Sequence, residues 1–394
     1  MVVFSVVIQE YDFRQISEKS AAWFRSADVA LSQGSFSVSR RAAYSTYGAA
    51  RISTPTSASI QGEATIMTST ATMQTSNGRQ PIDLPDYAPV PQSALGPALN
   101  AQGYFVGRVE KNLYWITDGT YQCAFLTTKD GVVLFDAPPT IGNNIQRAVD
   151  EIAAANGVSN KVKYLIYSHH HADHGGASSL FGNNIVRIGH EETRKLLIRD
   201  NDTARPAPEE IFQDRRTLNF DGDRIELEWK GSNHSPDNIY IHFPDHDALM
   251  LVDIVNPGWA PIYICNLSED VPGYMASTEK ALAYKWKHFI GGHLGRLGTR
   301  EDVTLHQQYM TDIADSVRKT LPTVDPTPYF QKYGENAWAG VKAYLDACTD
   351  AAAAPVIQKY TGVLAAADVF TDSTAFWVME SLRLDLGFAS WVHP

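Results

Sequence analysis

Four histidines and one aspartate crowd into the stretch Tyr167–Gly176, which reads YSHHHADHGG. Neutral imidazoles and a carboxylate are ligands for zinc or another borderline divalent metal. Residues two apart in an extended segment point the same way, so His169 and His171 can converge on one ion while His170 faces elsewhere. Asp173 and His174 fall where the chain turns, and Gly175-Gly176 permits a tight bend beside them. One ion does not easily accept all four ligands, so the spacing implies two ions sharing the loop. The plain alternative is a solvated polar loop, and the surrounding elements must decide.

Those side chains need a frame. Val162–Tyr167 (VKYLIY) predicts a buried strand that ends where the histidines begin. Upstream, NLYWITDG, QCAFLTT and GVVLFDAPP are short β-branched and aromatic runs that predict successive antiparallel strands. NIQRAVDEIAAA has apolar residues at helical spacing and stops at Asn156-Gly157, a helix C-terminal signal. NNIVRIG and ALMLVDIV predict further strands, whereas HEETRKLLIRD and residues 269–289 read as helical. This order lacks the strict alternation of a doubly wound sheet and predicts two mixed sheets sandwiched between helices. Beyond Arg300 the chain reads as mostly helical, broken at LPTVDPTP and at Ala354-Pro355. Residues 1–100 read as a low-complexity extension with a proline-punctuated linker over Pro81–Pro97, residues 101–300 as the catalytic domain, and 301–394 as a helical region.

Composition bounds the partners. The 394 residues are 44% hydrophobic and 20% charged, ordinary for a folded protein with a sizeable core. A net charge of -11 argues against nucleic acid and against an anionic membrane surface, leaving a small molecule as the expected substrate. Cys123, Cys265 and Cys348 form no CxxC pair and no disulfide framework, which fits a reducing, cytoplasmic compartment. Met1–Ile8 is apolar but lacks a basic flank and reads poorly as a secretory signal. Val29–Gln80 is rich in Ser, Thr and Arg in the manner of a targeting segment, though the acids ahead of it spoil the match. A flexible extension is the expectation there.

The pattern S-H-x-H-x-D-H-x-G after an apolar strand resembles the signature of the metallo-β-lactamase superfamily. The resemblance implies an αββα sandwich with a metal site at one edge of the sheets. It also implies three further ligands, and the sequence has a candidate for each: His234 in GSNHSPDN, Asp253 at the end of ALMLVD, and His293 in FIGGHLG. Carried over residue by residue, His169, His171 and His234 would hold one metal. Asp173, His174 and His293 would hold the second, with Asp253 bridging. An aspartate at the bridging position is similar to the glyoxalase, lactonase and nuclease branches; it suits zinc and also admits Mn or Fe.

Two such ions make hydroxide available near neutral pH, because coordination lowers the pKa of water from 15.7 to about 7. The expected reaction is hydrolysis of an ester, lactone or β-lactam-type carbonyl, with Asp173 orienting the nucleophile and shuttling its proton. A thioesterase or a phosphodiesterase is the alternative. His170 reads as an outward-facing neighbour, His190 as a structural residue at a helix start, and His242, His246, His288, His306 and His393 as ordinary. Asp136 either supports the metal loop or caps a strand. Trp259, Tyr263 and Tyr274 either wall a substrate pocket or pack their loop. The C-terminal helices are expected to cover the pocket, to form a homo-oligomer surface, or both.

Overall fold

Antiparallel pairing dominates the first part of the sandwich. β1 (Phe105–Glu110), β2 (Leu113–Thr117), β3 (Gln122–Thr127) and β4 (Val132–Phe135) form a meander in sequence order. The structure is a computed structural model describing residues 84–388, so the low-complexity stretch and His393 lie outside the described residues. Helix α1 (Asn144–Asn156) then crosses over to β5 (Val162–Ile166), parallel to β4. It ends as its sequence requires, with Gly157 at φ 68 returning its N–H to Ala153 and Ala154. The parallel strands β6 (Val186–His190) and β7 (Glu210–Phe212) complete a seven-stranded sheet.

The second sheet contains β8 (Arg215–Phe220), β9 (Asp223–Glu228), β10 (Tyr240–Phe243), β11 (Ala248–Met250) and β12 (His288–Ile290), in the order β12-β11-β10-β9-β8. Strand alternation separates three layers of core. Val133, Phe135 and Ile166 face Ile225, Ile241, Phe243 and Met250 between the sheets. Val132, Leu134 and Leu165 point the other way, against Ile145, Ala148 and Val149 of α1. The outer face of the second sheet buries Tyr240, Leu249 and Phe289 against α4 (Val271–Leu282), α5 (Arg300–Thr320), α7 (Ala337–Tyr360) and α8 (Ala367–Leu384). Shorter helices α2 (Ala172–Gly175), α3 (Glu191–Asp200) and α6 (Thr327–Tyr333) lie between these elements. The architecture is the expected αββα sandwich with a C-terminal helical region.

Three local expectations differ from the structure. The helix read over 269–289 is shorter, because Phe289 and Ile290 are needed in β12, where they pair in parallel with β11. Pro355 does not end a helix: α7 runs through it to Tyr360, held on both sides of the proline by buried Ala352, Ala353 and Val356. Tertiary packing there outweighs the lost hydrogen bond. The proline-rich segment is not a loose linker from Leu84 onward. The Ala88 N–H reaches the Asp368 carboxylate, the Trp259 indole donates to the Ala94 carbonyl, and Gly96 closes on the backbone of Gly295. Among the described residues, no helix is long and apolar enough to cross a membrane.

Candidate metal centre

The seven proposed ligands come from four stretches of chain that share one edge of the sandwich. His169 follows β5, and its backbone is drawn taut by Asp136 at the end of β4, whose Oδ1 accepts the Ser168 N–H at 2.8 Å. Asp136 is fully buried with φ 64, so it supports the metal loop rather than merely closing a strand. His171 precedes α2, a single turn that carries Asp173 and His174. The glycines after it serve a different purpose from the one their type suggests. Gly176 has φ -66, within reach of any residue, but a Cβ there would collide with the Ala172 carbonyl and meet Pro139 at 3.1 Å. They provide room, not an unusual bend.

The three downstream residues arrive from the other sheet. His234 lies in the β9–β10 loop, Asp253 three residues beyond β11 at φ 63, and His293 three residues beyond β12. The side chains fall into two groups: His169, His171, His234 and Asp253, and then Asp173, His174, Asp253 and His293. Ligand atoms within each group lie within 4.8 Å of one another. Asp253 divides its oxygens between them. Its Oδ2 is 3.3 Å from His169 Nε2 and 3.1 Å from His234 Nε2, while Oδ1 is 3.2 Å from His174 Nε2 and 2.8 Å from His293 Nε2.

The donor chemistry fits a pair of cations. His234 Nε2 approaches His171 Nδ1 to 2.9 Å, and His174 Nε2 approaches His293 Nε2 to 3.1 Å. Two imidazole nitrogens at such a distance share at most one hydrogen. His169 Nε2 and Asp253 Oδ1 are buried, and their neighbours within 3.3 Å are other members of the same ligand groups. Lone pairs aimed at a common point without a donor are what a divalent ion satisfies.

Electrostatics agrees. Burial lowers His169 and His234 to about 3 and lowers His171, so these rings are neutral at pH 7, the ligating form. For Asp253, burial favours the neutral acid, yet His174, His293 and His234 hold it well below the usual carboxylate range. Burial also opposes charge on His174, but Asp253, Asp173 and Asp136 outweigh it and raise the ring to about 9. Ligation requires the neutral ring, so a metal ion held there would compete with a proton on His174. Burial pushes Asp136 up to about 6, against the pull of His174 and the Ser168 N–H.

Several residues that local sequence reading passes over complete the centre. His170 is turned from the ligand groups but is not at the surface: it is buried, and its Nδ1 meets Asp237. Gln122, fully buried on β3, places its Nε2 2.8, 2.7 and 2.9 Å from the carbonyls of His293, Leu294 and Arg296, holding the loop that carries the last ligand. Its only sequence signal is a polar side chain inside an apolar strand. Tyr121 packs its ring 4.6 Å from that of His293. Burial, with Asp173 and Asp253 nearby, pushes its phenol up to about 12 and keeps it a proton donor. Of the aromatics after Asp253, Tyr274 lies wholly buried on α4 and donates to the Ile254 carbonyl, whereas Tyr263 is 60% exposed against Phe370 of α8. His190 caps α3 and stacks on Trp229.

Comparison with known proteins places this geometry. The chain is 27% identical over 219 residues to the 2,4-dinitroanisole O-demethylase subunit alpha of Nocardioides sp. (strain JS1661), covering 54% of this chain and 63% of that protein. It is 27% identical over 126 residues to metallo-beta-lactamase IND-1 of Chryseobacterium indologenes, covering 32% of this chain and 50% of that one. The chain thus spans less than two thirds of the length of these curated relatives. A metallo-beta-lactamase from Pontibacter korlensis superposes with a TM-score of 0.45 at 18% identity, over 52% of this chain and 97% of that one. Residues 116–285 match the family model described as the metallo-beta-lactamase superfamily, and they contain six of the seven side chains that converge here; His293 lies just beyond. That match places residues 116–285 in the metallo-beta-lactamase superfamily.

Proposed function

We propose that this chain is a metal-dependent hydrolase that cleaves an ester, lactone or β-lactam-type carbonyl bond in a small molecule. The observation that carries the reading is the division of Asp253 between two ligand groups, one oxygen to each. When bound, two divalent ions supply Lewis acidity and a nucleophile available near neutral pH. Zinc suits the histidine-rich set, and the all-oxygen carboxylate positions also admit Mn or Fe.

This chain's own residues account for the rest. Asp253 is 3% exposed and flanked by four imidazoles, so it acts as a fixed anion between the groups. Asp173 is 40% exposed, with Oδ2 3.5 Å from His174 Nε2 and 3.6 Å from His293 Nε2. It stands between the buried ligands and solvent, where it can orient the attacking water and pass the released proton outward. The Tyr121 hydroxyl beside it stays protonated and donates.

The acidic net charge supports a small substrate over a nucleic acid. A second reading has one observation behind it. The relative matching 54% of the chain is named for O-demethylation of 2,4-dinitroanisole, which puts an activated aryl methyl ether beside the carbonyl substrates. The deciding experiment is metal analysis of the purified full chain, joined to a turnover screen. The screen takes in lactones, aryl esters, β-lactams, thioesters, bis-aryl phosphodiesters and a nitroaryl methyl ether. Carbonyl hydrolysis that chelation abolishes and zinc restores supports the first reading. Turnover confined to the ether or to the phosphodiester replaces it.

A further inference from the structure

Asp253 sits at φ 63, a left-handed backbone that is unfavourable for a non-glycine residue. Something must hold the chain there, and the structure shows what does. Three consecutive carbonyls around it each accept a hydrogen bond from a buried side chain of a different segment. Val252 O accepts from Asn238 Nδ2 at 2.9 Å, Asp253 O from Asn266 Nδ2 at 3.1 Å, and Ile254 O from the Tyr274 hydroxyl at 2.7 Å. On the other side, the Asp253 N–H donates to Gly291 O at 3.1 Å, two residues before His293.

Asn266 reaches this position at a cost. Ile264, Cys265, Asn266 and Leu267 all have φ between 36 and 59, and the first three have ψ between 40 and 55, a turn of the disfavoured hand. The side chain of Asn266 repays the turn by using both of its ends. Its Oδ1 accepts from the Ile262 N–H at 2.8 Å and from Asn256 Nδ2 at 3.0 Å, and its Nδ2 also reaches the Tyr274 hydroxyl at 3.1 Å. Tyr274 Oη in turn lies 3.3 Å from His306 Nε2, on α5. The turn is therefore built around one amide, and that amide faces the residue both ligand groups share.

We propose that Asn266 and Tyr274 are positioning residues for Asp253: they clamp its left-handed backbone so that each carboxylate oxygen faces one ligand group. The proposal rests on the reading of Asp253 as the shared metal ligand. Neither residue belongs to either ligand group, and neither was predicted from the motif. Outer partners of metal ligands are worth about 10- to 100-fold in metal affinity.

The test uses the full chain and zinc alone. Zinc stoichiometry and affinity, by competition with a chromophoric chelator, are compared with Tm for wild type, Asn266→Asp and Tyr274→Phe. Asn266→Asp keeps the size and exchanges the two donated hydrogens for lone pairs; Tyr274→Phe removes a single hydroxyl and keeps the packed ring. The clamp predicts a 10-fold or larger loss of zinc affinity in each folded variant. Tyr274→Phe, which preserves the packing, decides the matter if Asn266→Asp fails to fold. With Co2+ in place of zinc, the visible absorption of the variants should shift, a readout that lost stability alone would not move. Wild-type zinc affinity in Tyr274→Phe, with or without a lower Tm, overturns the clamp. Failure of wild type itself to bind zinc overturns the metal-centre reading, and the clamp with it.

Discussion

His170 Nδ1 lies 2.9 Å from Asp237 Oδ1, and both side chains are buried. The same carboxylate accepts from Ser235 Oγ and from Thr193 Oγ1, each at 2.8 Å, and the His170 carbonyl accepts from Arg205. Burial alone would raise Asp237; His170, His169 and Ser235 instead hold it well below the usual range, so it is ionised. One buried anion thereby ties the His169–His174 loop to the His234 loop and to α3. The histidine that alternation turns away from the metal is the one that joins the two ligand loops.

His170→Ala is therefore not neutral. It leaves a fully buried carboxylate without its main partner, a loss of roughly 3–5 kcal/mol by analogy with broken buried pairs. The expected outcome is a Tm drop of many degrees and weakened zinc binding, although no ligand is removed. Thermal unfolding and metal analysis of the variant check it. A Tm within a degree or two of wild type would show that Asp237 is held without His170.

Gly292→Ala should damage the second ligand group while leaving every ligand in place. Gly292 has φ 87, and a Cβ there would lie 2.5 Å from Val252 Cγ1 and 3.1 Å from His174 Cε1. The left-handed backbone and the collision act together, and overpacking typically costs 1–3 kcal/mol. The expected result is a protein that retains close to one zinc per chain in place of two. Retention of both would mean that the loop bearing His293 yields more than its Gln122 anchor suggests.

Much of this centre was readable from the chain because its ligands obey local rules. His169, His171 and His234 stand in short motifs, Asp253 follows an apolar run, and α1 stops at a glycine with positive φ. Asp237, Gln122 and Asn266 obey no local period. Asp237 and Gln122 meet partners in segments distant along the chain, and Asn266 reaches the Asp253 carbonyl thirteen residues back only through a left-handed turn; such side-chain bonds leave no pattern in the sequence. The unbroken course of α7 through Pro355 has the same origin, since tertiary packing decides it. His170 illustrates both sides: alternation gave its direction, and only the fold supplied the carboxylate it meets.

Asp173→Asn and Asp253→Ala should separate catalysis from binding. Asp253 serves both groups, so its loss should release both metals and all activity together. Asp173 is the half-exposed member of the set, and Asn keeps its shape while removing its capacity to take a proton. Proton transfer by a positioned side chain is worth about 100- to 10,000-fold. The expected outcome is a kcat lowered into that range with KM little changed and the His169, His171, His234 ion retained. Wild-type kcat in Asp173→Asn would remove this residue from the reaction.

His306 predicts an acid-sensitive helical layer behind the Tyr274 hydroxyl. It is buried on α5, and burial lowers its pKa to about 4, against roughly 6.5 in an unfolded chain. Between those values the unfolded state binds a proton that the native state does not, so stability rises with pH across the window. The contribution is fully present above about pH 6.5 and is lost as pH falls toward 4, on the order of 3 kcal/mol in all. His306→Gln removes this titration while leaving a polar group near the Tyr274 hydroxyl. Urea unfolding of zinc-loaded wild type and variant at intervals from pH 7 to pH 4 should give a stability difference that shifts toward the variant as the pH drops. A difference that stays constant over that range would show that His306 is protonated in the native protein, or that water reaches it.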